Sequence, residues 1–226
     1  MSETVAARGG KDRDYWWTVL VVDPIAFPLA RFLARKRWLT ADQVTSLALL
    51  VGAASGFAYA SEGRIGLALG AALFFTSFVL DCVDGKVARA LGTSSPRGQV
   101  LDELADAGRR TSAAVGLAVH LWDDGGASFW WAIAYALLAF LFAALSGGTR
   151  GEPATAVGGR WSQRLARRRL LPTPGTPDVG ALVFIFGPLT GWIAPAFAVG
   201  SALISIGTMI VVWRRFRDSG GVEASP

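Results

Sequence analysis

Residues 81–106 read DCVDGKVARALGTSSPRGQVLDELAD. A pair of carboxylates stands at each end, Asp81 with Asp84 three residues apart and Asp102 with Asp106 four apart. In a helix either spacing brings both side chains onto one face. Between the pairs lie Gly85, Ala88, Arg89 and a Gly/Ser/Pro turn, which separates two helices. The apolar run Ile65–Leu80 leads into the stretch and Thr111–Trp122 follows it. The two carboxylate-bearing helices are therefore expected to meet near one membrane edge.

The remaining chain sets the class. Of 226 residues, 52% are hydrophobic and 17% charged, and apolar stretches of membrane-spanning length recur. Mean hydropathy is +0.41. An all-α integral membrane protein built as one bundle follows. The net charge of +5 lies beside the apolar spans, so anionic headgroups are the expected partners and nucleic acid is not. The single cysteine, Cys82, excludes an internal disulfide or a cysteine metal cluster and reads as a small packing residue. The N-terminus, MSETVAARGGKDRDYWW, carries no apolar core with a cleavage site, and no removed signal peptide is expected.

The predicted layout is six transmembrane helices preceded by an N-terminal interfacial amphipathic segment. Residues 1–38 form a cytoplasmic tail and that segment, 39–217 the bundle and 218–226 a polar tail. Tyr15–Trp38 is interrupted by Pro24 and Pro28 and closes on Arg31, Arg35, Lys36 and Arg37, which suits the interface better than a span. Thr40 or Asp42 caps the first span, which runs without charge to Glu62. The second continues from Ile65 through Asp81 to about Arg89, the third from near Gly98 to about Trp122, and the fourth from Gly125 to Thr149. Val179–Trp213 is uncharged but broken by Gly187-Pro188, Gly191 and Pro195, so it reads as a short or tilted pair.

Basic clusters at 31–37, 86–97, 150–169 and 214–217, with Arg64 alone in an outer loop, demand an even number of crossings between clusters. Both termini and the carboxylates then face the cytoplasm, in a cell-membrane protein. The small-residue runs Gly52–Gly56 and Gly66–Ala72 serve close helix packing or a dimer face.

Four carboxylates at a membrane edge repel one another, and a cation is the economical partner. Oxygen-only ligands select Mg²⁺, or Mn²⁺, over zinc. Two such ions about 4 Å apart clamp a pyrophosphate, which is phosphoryl-transfer chemistry. The alternative class is a divalent-cation transporter, but the charges gather at one edge and do not continue to an outer exit.

Asp81-x-x-Asp84-Gly85-x-x-Ala88-Arg89, then Gly98-x-x-x-Asp102-x-x-x-Asp106, resembles in full the signature of the CDP-alcohol phosphotransferases. The resemblance implies transfer of a phosphatidyl group from a CDP-alcohol, CDP-diacylglycerol first, to an acceptor hydroxyl with release of CMP. A CDP-polyol donor or lipid-alcohol acceptor is the alternative within that chemistry. It implies that Asp81, Asp84, Asp102 and Asp106 hold two Mg²⁺ ions and that Asp106 is the general base. Asp42, Gln43, Val44, Thr45, Asp81, Gly85, Ala88, Arg89 and Ser95 are the implied CDP-alcohol contacts. A homodimer is implied as well. The family's Thr-Pro-Asn/Asp start of the first span has Ala41 in place of proline here, and the Lys/Arg cluster that ends the fourth span in inositol-phosphate-using relatives is reduced to Arg150. Arg109, Arg110, Arg150, Arg160 and Arg164 are the candidates for an acceptor pocket.

Overall fold

The computed structural model describes residues 10–122, 127–146 and 160–220. One π-helical turn, Thr18–Val22, runs into α1, Asp23–Lys36. Val22, Ala26, Ala30 and Leu33 recur at helical spacing, and this buried stripe packs on Val79, Val83 and Val87. Pro24 sits in the first turn, where a missing N–H costs nothing, and Arg37 ends the helix in the left-handed region at φ 51°. The segment expected at the interface is thus an amphipathic helix whose apolar face is covered by the bundle.

Helix α2 is Ala41–Ala60. Of the two candidate caps the chain uses Thr40: its hydroxyl accepts from Gln43 N at 3.3 Å, and Gln43 Oε1 accepts from Thr40 N at 2.9 Å. Helix α3, Gly63–Leu91, carries the first carboxylate pair and stops at Gly92, φ 66°, where glycine adopts the left-handed conformation without strain. Helix α4, Pro96–His120, carries the second pair. It begins two residues before the expected Gly98, because the Ser95 hydroxyl accepts from Gly98 N at 3.0 Å and Pro96 is tolerated in a first turn. Next come α5, Ala127–Ser146, and α6, Arg160–Arg167. Helix α7, Thr176–Thr190, contains a π-helical turn at Leu182–Phe186, and α8 is Ile193–Gly220.

Among the described residues four helices are long and apolar enough to cross a membrane: α2, α3, Ser128–Ser146 of α5 and Ile193–Arg217 of α8. Helix α4 has the length, but its first half is charged. Helix α7 is apolar and reaches only roughly 22 Å at 1.5 Å per residue.

Helix α2 packs against both α3 and α4. Its approach to α4 is set by glycine: a Cβ on Gly56 would collide with Ser112, and one on Gly116 with the Gly56 carbonyl. There the Ser112 hydroxyl donates to Ala53 O at 2.8 Å. The Gly52–Gly56 run therefore serves packing within the chain. At the opposite end of the bundle Tyr59, Phe74, Leu117, Tyr135, Phe184 and Phe197 form a second core, and the Tyr59 hydroxyl donates to Phe184 O.

Residues 11–17 cross the bundle as a strap against 169–178. Asp14 N donates to Arg169 O at 2.8 Å, Leu171 N to Asp14 O at 3.0 Å, and Trp16 Nε1 to Leu171 O at 2.7 Å. Asp178 receives Trp17 N at 2.6 Å and Gly175 N at 2.7 Å. The Tyr15 ring lies on Gly175, where no side chain fits. Burial, with the nearby carboxylates of Asp14 and Asp178, raises the Tyr15 phenol above its ordinary value, so it stays neutral.

Candidate active site

The helix starts and the motif converge at one end of the bundle. Asp42, in the first turn of α2, approaches the start of α4: a Cβ on Gly98 would stand 3.4 Å from Asp42 Oδ1 and 3.3 Å from Ser95 Oγ. One turn further along α2 the Thr45 hydroxyl donates to Asp84 Oδ2 at 2.5 Å, inside the protein. The same hydroxyl lies 3.0 Å from Ala41 O. Val44 is buried in the α1–α3 core, whereas Asp42, Gln43 and Ser95 are exposed. Gln43 and Ser95, expected as nucleotide contacts, are occupied as helix caps.

Along α3, Asp81, Asp84, Gly85 and Ala88 lie within one arc of the helix. Gly85 leaves room for the exposed Arg89, whose guanidinium would lie 3.1 Å from a Cβ there. Asp81 is half-buried, and its Oδ1 accepts no hydrogen bond among the described residues. Across from it on α4, Asp102 is exposed and Asp106 half-buried.

Arg109 sits between the pairs. It is 2% exposed, bonds Asp106 Oδ1, and stands 3.9 Å from Asp81 Oδ1. The rings of Phe74 and Phe78 cover its guanidinium, at 5.6 and 4.9 Å. Arg110 holds the other Asp106 oxygen at 3.2 Å. Of the five arginines expected around an acceptor, Arg109 and Arg110 adjoin the carboxylates. Arg164 is exposed on α6, Arg160 lies in the first turn of α6, and Arg150 lies outside the described residues.

Among the described residues no three His, Cys, Asp or Glu side chains converge as a metal site. Asp106 is engaged by two arginines and Asp84 by Thr45. The donor chemistry nevertheless fits a hard cation, since two neighbouring helices carry carboxylates and Asp81 Oδ1 is buried without a hydrogen bond among the described residues.

Sequence reasoning missed an ion-paired cluster on the back of α3. Lys86, next to Gly85, is buried and pairs with Asp23 of α1 at 2.9 Å, and Arg169 reaches the other Asp23 oxygen at 3.0 Å. A lysine inside a largely apolar helix was the available signal. Lys11, on the strap, is held through its carbonyl oxygen, which accepts from Arg169 at 2.8 Å. A separate apolar cleft of about 460 Å³ between α4 and α5, lined by Ala118, Trp122 and Phe129 among others, holds none of the carboxylates.

Among the described residues, four helices are long and apolar enough to cross a membrane, and paired carboxylates stand on two adjacent helices at one end of the bundle. The model of the CDP-alcohol phosphatidyltransferase family matches residues 38–213, and the chain belongs to that family of phosphotransferases. Among solved structures it is similar to the phosphatidylinositol phosphate synthase PgsA1 of Mycobacterium tuberculosis with CDP-DAG bound. That match has 21% identity and a TM-score of 0.59, over 86% of this chain and 92% of that one. The apo form of the same synthase matches at 22% identity and a TM-score of 0.55, over 84% and 93%. No curated protein matches the chain in sequence.

Proposed function

We propose that the protein transfers a phosphatidyl group from a CDP-alcohol, CDP-diacylglycerol in the first instance, to the hydroxyl of a polar acceptor, releasing CMP. The observation that carries this reading is the gathering of Asp42, Thr45, Asp81, Asp84, Asp102 and Asp106 at one end of the bundle. A donor that is half lipid and half nucleotide suits such an edge, and the similar synthase binds CDP-DAG.

Asp81, Asp84, Asp102 and Asp106 are the residues that would hold two Mg²⁺ ions. Bound there, the ions supply charge neutralisation for a diphosphate. Thr45 fixes the Asp84 carboxylate, and Gly85 keeps the α3 surface low beside Arg89, a planar donor suited to phosphate. Asp106 takes the proton of the acceptor hydroxyl. The acceptor oxygen then bonds to the β-phosphorus, the bond from that phosphorus to the bridging oxygen breaks, and CMP leaves with the electron pair. Arg109 and Arg110 each take one Asp106 oxygen, and a carboxylate offers about four lone-pair sites, which leaves Asp106 room to accept the hydroxyl proton.

The membrane reading that accompanies this function is six crossings, with α4 and the short α7 added to the four apolar helices and the carboxylates on the cytoplasmic side. The Arg214, Arg215 and Arg217 cluster at the end of α8 supports that orientation. A homodimer in the cell membrane is part of the same proposal and rests on the family.

The test is CMP release by purified protein in detergent with Mg²⁺ and CDP-diacylglycerol, scanned over inositol phosphate, glycerol phosphate, serine and free polyols. Release with one acceptor establishes the reaction and names the product. Metal uptake into vesicles with no CMP from CDP-diacylglycerol or CDP-polyol donors would instead favour a cation transporter.

A further inference from the structure

Burying a charge is costly unless it is paired, and an apolar pair of similar volume generally serves stability as well as a buried ion pair. The chain nevertheless keeps a three-charge node on the back of the motif helix. Asp23 and Lys86 are each 4% exposed, with Lys86 Nζ 2.9 Å from Asp23 Oδ1 and Arg169 3.0 Å from Oδ2. Phe27 of α1 lies between the two cations, 5.0 Å from Lys86 Nζ and 5.5 Å from the Arg169 guanidinium. Lys86 also donates to Cys82 O at 3.3 Å. One node therefore joins α1, α3 and the segment before α7.

Its place on α3 gives it leverage. Asp84 faces α2, where Thr45 bonds it, and Lys86 faces α1 from two residues further on, nearly the opposite side of the helix. The surrounding contacts of Val79, Val83 and Val87 with Val22, Ala26 and Ala30 are aliphatic and non-directional. Lys86 and Asp23 meet as a charge contact at 2.9 Å, with no hydrogen bond to Asp23 Oδ1 among the described residues, and drawing two buried charges apart is costly. Arg169 in addition donates to Lys11 O at 2.8 and 3.2 Å, so the node also holds the N-terminal strap.

We propose that Asp23, Lys86 and Arg169 are positioning residues: they fix the rotation of α3 that aims Asp81 and Asp84 at α4, and they hold the N-terminal strap against the segment before α7. The activity arm of the test rests on the phosphatidyl-transfer reading; the exchange arm does not.

The experiment compares wild type with Lys86→Arg, Lys86→Met and the apolar pair Asp23→Leu/Lys86→Met. Each is assayed for thermal stability, CDP-diacylglycerol binding, CMP release and hydrogen exchange by mass spectrometry. The apolar pair is expected to fold and bind the donor within about threefold of wild type. Its kcat per binding-competent molecule is expected to fall at least about tenfold, the scale on which small misplacements of reacting groups act. Lys86→Arg, which keeps the charge, should recover part of that loss. A purely structural role predicts wild-type kcat in the stable apolar pair, and that result overturns the proposal. If wild type itself releases no CMP with any donor, the function above fails and exchange decides alone. Amides of 11–17 and 169–171 must then lose protection together in the apolar pair, and unchanged protection refutes the node.

Discussion

Gly52 is the point where a single methyl group tests the link between packing and chemistry. A Cβ at that position would lie 2.8 Å from Arg109 Cβ, 2.8 Å from Ser77 Oγ and 3.0 Å from Arg109 Cγ. Carbon atoms prefer separations of about 3.5–4.0 Å, so the Gly52→Ala contact is too close by roughly 1 Å. Arg109 Cβ is attached to the α4 backbone and Ser77 donates to Ala48 O at 2.7 Å, so neither neighbour swings aside without moving a helix. Overpacking of this kind costs about 1–3 kcal/mol, and replacing a helical glycine by alanine returns up to about 1 kcal/mol. The net loss is about 0–2 kcal/mol, a fall in melting temperature of up to about 8 °C in a chain of this size. Activity is expected to suffer more. Arg109 touches Asp106 and stands 3.9 Å from Asp81, and a displacement of roughly 1 Å at a reacting centre can cost about 100-fold. Gly180→Ala is the control, since nothing lies within 4 Å of its added Cβ and the helix gains about 0.5–1 kcal/mol. Melting curves and CMP release in detergent read both variants. Gly52→Ala with wild-type turnover would show that α2 and α4 can separate without disturbing the carboxylates, and the argument would fail.

Asp106→Asn is expected to keep Mg²⁺ and CDP-diacylglycerol binding while losing turnover, whereas Asp81→Asn loses both; binding by calorimetry beside CMP release separates the two, and normal turnover in Asp106→Asn removes it from the base role. Thr45→Val deletes the bond to the buried Asp84 carboxylate, worth about 1.5–3 kcal/mol, and should weaken metal-dependent donor binding by about 10- to 100-fold; unchanged affinity would mean that Thr45 does not orient Asp84. Asp178→Ala leaves the amides of Trp17 and Gly175 without their acceptor. It should cost about 0.5–2 kcal/mol in thermal stability and raise exchange at residues 14–17, and full protection there would contradict the strap.

The sequence by itself determined the family and the membrane character. Eight motif positions at fixed spacing, Asp81 through Asp106, specify which side chains share a helix face, because helical periodicity is local. Apolar run lengths and cap residues did the same for the ends of α2 and, to within two residues, α3, while the error at α4 comes from Ser95 and Pro96 acting together as a helix start. What sequence spacing could not specify is how helices distant in the chain pair their surfaces. Only the tertiary structure assigns Gly56 and Gly116 to an α2–α4 contact and puts Arg109 between the carboxylate pairs under Phe74 and Phe78. Only it joins Asp23, Lys86 and Arg169, which are separated by up to 146 residues. Local spacing fixes the direction in which a side chain leaves its own helix, whereas its partner depends on which other helix packs there, and that is decided by burial across the whole bundle.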